Sequence, residues 1–139
     1  MSEPVLVARH LHKRYGDVVA VDDLSLEIPA GGCFGLLGPN GAGKSTTLEM
    51  LQGLRKPDRG EVLYRGAPPG REFRLRHGTQ FQSTALIDFQ TTREMLELFA
   101  AFYPQPRPLD ELITRLNLAP FLDQQAMKLS GGQRQRLLL

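Results

Sequence analysis

Gly38-Pro39-Asn40-Gly41-Ala42-Gly43-Lys44-Ser45 keeps the spacing G-x-x-x-x-G-K-[ST], the P-loop pattern. Glycines at 41 and 43 free the backbone to turn several N–H groups inward, Lys44 adds a cation, and Ser45 adds a hydroxyl beside it. A polyphosphate needs that set: many donors for its oxygens, a charge for the β- and γ-phosphates, and a hydroxyl for Mg²⁺. The same chain carries Leu129-Ser130-Gly131-Gly132-Gln133. Ser130 and Gln133 fit the capping box S-x-x-Q, so a helix should begin after Ser130. An ordinary cap explains the Ser and the Gln but not the paired glycines, which leave N–H groups open to an approaching anion. By composition the first pattern arises by chance in roughly one chain of this length in a few hundred, the exact pentapeptide in one of several thousand. Coincidence does not explain both.

The elements that would position these residues can be read from periodicity. Val5-Leu6-Val7-Ala8 predicts a first strand. Val18-Val19-Ala20-Val21 and the alternation Leu24, Leu26, Ile28 predict two more, with Asp22-Asp23 as a turn between them. Pro29-Ala30-Gly31-Gly32 breaks the pattern, and Cys33-Phe34-Gly35-Leu36-Leu37 reads as a buried strand feeding the glycine-rich loop. A helix should start near Gly43 or Lys44, with Leu48, Leu51 and Leu54 on its apolar face, Arg55 and Lys56 at its C-terminal dipole end, and Pro57 as its stop. That strand before and helix after are the context the glycine pattern requires, and they argue against a turn with an incidental lysine. Glu61-Val62-Leu63-Tyr64 predicts a strand and Gly66-Ala67-Pro68-Pro69-Gly70 a loop. From residue 91 the pattern turns helical. Thr91-Thr92-Arg93-Glu94 is a capping box, Met95, Leu98, Phe99 and Phe102 form a stripe expected in the core, and residues 104–108 end that helix. A second helix is predicted over 109–118, with Leu109, Leu112, Ile113 and Leu116 on one face.

Composition narrows the classes further. The 139 residues are a single-domain length, and 17 basic against 15 acidic residues give a net charge of +2. That balance makes no case for a strongly basic nucleic-acid footprint, so no nucleic-acid partner is expected. One cysteine rules out an internal disulfide and suits a reducing compartment; Cys33 is expected as a small buried strand residue beside Phe34 rather than a redox group. The Met-Ser-Glu-Pro start lacks the basic-then-apolar profile of a signal peptide, and no apolar run approaches the ~18 residues of a membrane span. A soluble protein without direct membrane insertion is expected, any membrane role coming through a partner.

Gly35-Leu36-Leu37 running into Gly38-Pro39-Asn40-Gly41-Ala42-Gly43-Lys44-Ser45-Thr46, with the pentapeptide downstream, resembles the nucleotide-binding domain of ABC transporters. The resemblance covers residues 5–139, ends just after the pentapeptide, and is nearest in wording to subunits of exporters with separate membrane permeases. It implies an α/β fold: a P-loop NTPase core with an N-terminal antiparallel β subdomain and a helical subdomain, incomplete at the C-terminus. The corresponding division is residues 1–82 for the β subdomain and P-loop core, and 83–139 for the Q-loop and helical subdomain. The implied cofactors are ATP and Mg²⁺, held by Gly38 through Thr46, with Ser45 on the metal.

Three further assignments rest on the same resemblance. Tyr15, in Arg14-Tyr15-Gly16, matches the aromatic that stacks on adenine, a use to which a flat π-face is suited. Gln82, in Gln80-Phe81-Gln82, matches the glutamine that faces Mg²⁺ and the attacking water, with Gln80 as a nearby competitor. Ser130, Gly131, Gly132 and Gln133 match the signature that reaches across a head-to-tail dimer to the γ-phosphate held by the other subunit. Arg134 and Arg136 beyond it are expected to be solvated. The implied partners are a second ATP-binding subunit and a membrane permease, the implied location the cytoplasm, peripheral on the inner face of the plasma membrane.

The resemblance also calls for an Asp-bearing strand, a neighbouring water-polarising Glu and a later γ-phosphate His, none of which falls within the 139 residues. His10, His12 and His77 lie at the wrong places to substitute. The expectation is that this polypeptide binds ATP, does not hydrolyse it alone, and is marginally stable because residues 33–37 lack their neighbouring strand. A soluble ABC-type ATPase of DNA repair or translation, and a non-catalytic nucleotide-binding fragment, are the alternatives. An unrelated P-loop kinase or GTPase has no use for the pentapeptide, and no Asn-Lys-x-Asp guanine motif occurs.

Overall fold

The computed structural model describes residues 3–81 and 85–139, which divide into two compact units, Met1–His77 and Gly78–Leu139. Gln82 lies outside the described residues.

The first unit is built on a three-stranded antiparallel sheet of order β2-β1-β3, from β1 (Pro4–Tyr15), β2 (Val18–Pro29) and β3 (Arg59–Tyr64). Gly16, at a φ of 56°, turns β1 tightly into β2. On the core face Leu6 opposes Ile28, Ala8 opposes Leu26, and Leu11 opposes Leu24. Those apolar pairs do not fall at a strict two-residue period along β1, and the register explains how they share a face. Between Ala8 and Leu11 the strand advances three residues while its partner advances two, so a bulge at Arg9-His10 returns Leu11 to the core side.

A second bulge compensates on β2, where Leu24 to Val21 spans three residues against two on β1. Asp22-Asp23 is therefore a bulge inside one continuous strand and not a turn between two strands. Asp23 takes a φ of 48°, a conformation that short polar residues tolerate better than most. Its carboxylate lies 2.7 Å from His10 Nδ1, and Asp22 lies 3.0 Å from His12 Nδ1 across the hairpin. A further irregularity, where β1 meets β3, is occupied by Gly60 at a φ of 83°; a Cβ there would sit 2.3 Å from the carbonyl oxygens of both Arg9 and His10.

Helix α1 (Lys44–Leu51) covers the core face. Ala8, Leu11, Val21, Met50, Leu51 and Val62 are buried together there, with Leu6, Leu24, Leu26 and Ile28 packed around them. The helix is shorter than the leucine spacing predicts. Gly53 adopts a φ of 72°, its N–H bonds Met50 O, and Leu54 N–H bonds Glu49 O, a Schellman closure that ends the helix before Arg55. Leu54 is consequently exposed, Leu48 is exposed within the helix itself, and of the predicted stripe only Leu51 is buried. A short helix α2 (Arg71–Arg76) buries Phe73 against Tyr64.

The predicted strand at 33–37 does not form. Among the described residues no strand runs alongside to complete a hydrogen-bond ladder, and an isolated strand leaves its backbone groups unpaired. Cys33 and Phe34 are exposed instead of buried, and Leu37 is 92% exposed.

The second unit contains α3 (Thr92–Ala100), α4 (Leu109–Arg115) and α5 (Gly131–Leu137), with single 3-10 turns at Ala119–Phe121 and Ala126–Lys128. The Thr91 capping box is complete: Glu94 N–H donates to Thr91 Oγ1 at 3.2 Å, and Thr91 N–H donates to the Glu94 carboxylate at 2.8 Å. That carboxyl is held below its usual range, first by the Thr91 N–H bond. Met95 is buried as the stripe predicts, whereas Phe99 and Phe102 are 52% and 69% exposed, so the aromatic end of the stripe is surface and not core. The core lies deeper, around Leu118, Phe121, Leu122 and Leu129, with Ile113 and Leu116 of the predicted face packed against it. Asn117, at a φ of 49°, ends the second helix short of Leu118.

Candidate functional site: the residue 38–46 loop

Helix α1 begins differently from α3 and α5. Its N-cap is Gly43, which offers no side chain to satisfy the helix start, and no acidic residue stands in the first turn. The first ladder bond is Thr47 N–H to Gly43 O at 2.8 Å, so the N–H groups of residues 43–46 have no partner within the helix. They gather the positive end of the helix dipole at one point, which favours an anion. Gly41 and Gly43 reach it with φ angles of 83° and 80°. Gly43 also packs directly on β2: a Cβ there would lie 2.1 Å from Ala20 O. Its absence of side chain is what lets the loop and the helix start lie against the sheet.

Lys44 folds back over the loop. Its Nζ donates to Gly38 O at 2.8 Å and to Pro39 O at 2.6 Å, while Ala42 N–H also bonds Pro39 O. The ammonium is thus held at the loop's mouth by weak neutral acceptors, which phosphate oxygens can replace with stronger charge-assisted bonds. Ser45 is exposed and Thr46 half-buried in the same first turn. One cation, uncapped N–H groups, two hydroxyls and no competing carboxylate form a donor set that fits a Mg²⁺-bearing polyphosphate.

Tyr15 closes β1 in the same unit, 41% exposed. Two cations approach its ring: the Arg55 guanidinium at 5.3 Å and Lys13 Nζ at 5.8 Å from the centroid. Asp58 anchors the strand just before it, accepting from Lys13 Nζ at 2.7 Å and from Arg14 N–H at 2.8 Å. Those bonds, Lys13 first, hold the Asp58 carboxyl below its ordinary value of 3.8. A carboxyl lowered by folding stabilises the fold above its unfolded value, and the contribution disappears as pH falls through the folded one. Asp58→Asn is therefore expected to be less stable than the parent at pH 7 and to converge with it on acidification below about pH 4. Urea unfolding at several pH values checks this, and a difference that stays constant with pH contradicts it.

The second motif lies in the other unit. Ser130 N–H donates to Gln133 Oε1 at 2.8 Å and Gln133 N–H to Ser130 Oγ at 3.3 Å, so the box predicted from S-x-x-Q is complete. Gly131 and Gly132 are exposed, and Leu129 is buried in the core as the anchor of the motif. Arg134 and Arg136 are half-buried, not solvated. Arg134 donates to Ala126 O at 3.1 Å and Arg136 to Asn117 O at 3.2 Å, with the Arg136 guanidinium 5.3 Å from the Phe121 ring. Their stems cover the small core while their heads satisfy carbonyls at the ends of short elements.

The family profile described as "ABC transporter" matches residues 21–139. The chain belongs to the ABC transporter family. It is 40% identical to the "Nod factor export ATP-binding protein I" of Ralstonia nicotianae, over 98% of this chain and 45% of that protein. It is 39% identical to the "Spermidine/putrescine import ATP-binding protein PotA" of Chromobacterium violaceum, over 97% of this chain and 39% of that protein. Among solved structures, an "ATP binding subunit of ABC transporter" superposes with a TM-score of 0.82 at 27% identity, covering 96% of this chain and 59% of that one. The Clostridium perfringens protein cbiO1, described as part of the ABC transporter complex cbiONQ, gives 0.79 at 25% identity, covering 99% and 60%. The chain spans less than half the length of these two sequence relatives.

The α/β architecture of ABC ATP-binding subunits thus extends over this chain. No helix among the described residues is long and apolar enough to cross a membrane. Sequence reasoning missed Asp58 and Arg55 as neighbours of Tyr15. Both sit in the Arg55-Lys56-Pro57-Asp58 connection, where the only visible signals were a helix-ending dipole and a proline.

Proposed function

We propose that this chain is the ATP-binding part of an ABC transporter subunit, in which ATP binding and hydrolysis by the whole protein drive a solute across a membrane. The observation that carries the reading is the uncapped start of α1 with Lys44 held across the mouth of its loop. The backbone N–H groups of residues 41–46 receive the phosphates, Lys44 neutralises the β- and γ-phosphates, and Ser45 offers its hydroxyl to Mg²⁺. Tyr15 stacks on the base, and Gln82 is the residue we assign to the metal and the attacking water. Mg²⁺ would offset the charge that builds on the phosphates during transfer.

Ser130 to Gln133 act on the nucleotide of a second subunit in a head-to-tail dimer, and a membrane permease supplies the solute path from the cytoplasmic side. The division into residues 1–82 and 83–139 then separates the element that holds ATP from the element that closes on the partner's. With Mg-ATP the chain is expected to shift towards dimer, and Ser130→Arg to stay monomeric while still binding one ATP. Sedimentation with and without Mg-ATP checks this; dimerisation that ignores either the nucleotide or Ser130 refutes the shared-site reading. Export is the direction we favour, supported by the name of the Ralstonia relative; the 39% identity to PotA favours import as the second reading. In inside-out vesicles holding the complete transporter, export predicts ATP-driven solute accumulation, and accumulation confined to right-side-out vesicles predicts the reverse.

A further inference from the structure

We propose that Arg55 is a positioning residue of the base site, acting through Tyr15. The inference rests on the reading of Tyr15 as the base-stacking residue. Arg55 lies just beyond α1, its guanidinium over the Tyr15 ring, 5.3 Å from the centroid. Glu49, within the helix, accepts from Arg55 Nε at 2.5 Å, an ion pair that tethers the guanidinium beside the ring. The pair with Glu49 thus holds the guanidinium against the aromatic ring while its outer side stays exposed, at a cost in side-chain entropy.

Two consequences follow from the chemistry of the pair. A cation over an aromatic ring is attracted to its π-face and restricts the ring's rotation, so the opposite surface is presented in one orientation. Arg55 spends only Nε on Glu49, and its remaining N–H groups can donate to an acceptor on the edge of a stacked base or to a ribose hydroxyl oxygen. The Schellman closure at Gly53 is what brings Arg55 to this place: a helix continuing to Pro57 would carry the side chain around with the helical turn. Lys13, the other cation near the ring, is already committed to Asp58 at 2.7 Å.

The test compares a ligand with a base to one without. Mg-ATP and Mg-tripolyphosphate are titrated into the parent chain, Arg55→Ala, Arg55→Lys and Tyr15→Ala, with each variant's thermal midpoint recorded. Arg55→Ala is expected to weaken ATP about two- to fivefold and leave tripolyphosphate unchanged. Arg55→Lys, which keeps the charge but not the planar fork, is expected to fall between the parent and the alanine variant. Equal weakening of both ligands, or of neither, overturns the proposal. If Tyr15→Ala weakens ATP selectively and Arg55→Ala does not, the proposal alone fails. If Tyr15→Ala also has no selective effect, the base-stacking reading fails with it.

Discussion

Lys44→Ala is expected to weaken Mg-ATP binding by at least about a hundredfold without changing the stability of the fold. The ammonium makes its two bonds to carbonyls of its own loop, Gly38 O and Pro39 O, and supports no buried cluster. Removing it therefore costs little in the free protein. In the complex it faces anionic oxygens, where each charge-assisted hydrogen bond is worth about 1.5–3 kcal/mol, so losing two corresponds to roughly two to four decades in affinity. Calorimetric titration, with unfolding by urea as the control, checks both halves. Unchanged affinity would remove Lys44 from the site, and a matching fall in stability would make it a structural residue.

Gly43→Ala is expected to act in the opposite way, damaging the fold and the site together. At a φ of 80° an L-residue costs about 1–2 kcal/mol through the backbone alone. The added Cβ would also meet Ala20 O at 2.1 Å and Val21 Cγ2 at 3.2 Å, so β2 or the start of α1 must move. Neither neighbour is a flexible side-chain tip, and Val21 belongs to the core under the sheet. The urea midpoint should fall and ATP binding should be lost with it. Parent-like stability with normal binding would show that the loop can lift off β2 freely, contrary to the contact described. The Lys44 and Gly43 variants thereby separate the chemistry of the site from the architecture that presents it.

The parts of this fold that were legible in the sequence are those governed locally. Both capping boxes follow from side chains three residues apart, Thr91 with Glu94 and Ser130 with Gln133, and need nothing else to form. The glycine positions of the loop are similarly self-contained. The bulges were not legible. Asp22-Asp23 has the composition of a turn, and only pairing with β1 reveals that the strand passes through it. The helix end at Gly53 overrode a leucine spacing that continued to Leu54, because a left-handed glycine closes a helix more decisively than an exposed leucine extends it. Residues 33–37 show the clearest limit. Their apolar run encodes a preference for burial, but a strand exists only where a neighbour completes its ladder. Arg134 and Arg136 depart from expectation for the complementary reason: charge suggests solvent, while long stems and nearby backbone carbonyls draw them against the core.

The central claim is that backbone N–H groups of residues 41–46, in the loop and the uncapped helix start that follows it, receive the phosphates of ATP. Amide resonances of the isotopically labelled chain, followed during titration with Mg-ATP, read those groups one by one. The account predicts that the largest saturable shifts fall on Gly41 to Thr46, recur with tripolyphosphate, and are absent with adenosine alone. Saturation by ATP that leaves those amides unmoved, or moves them equally with adenosine, would contradict it.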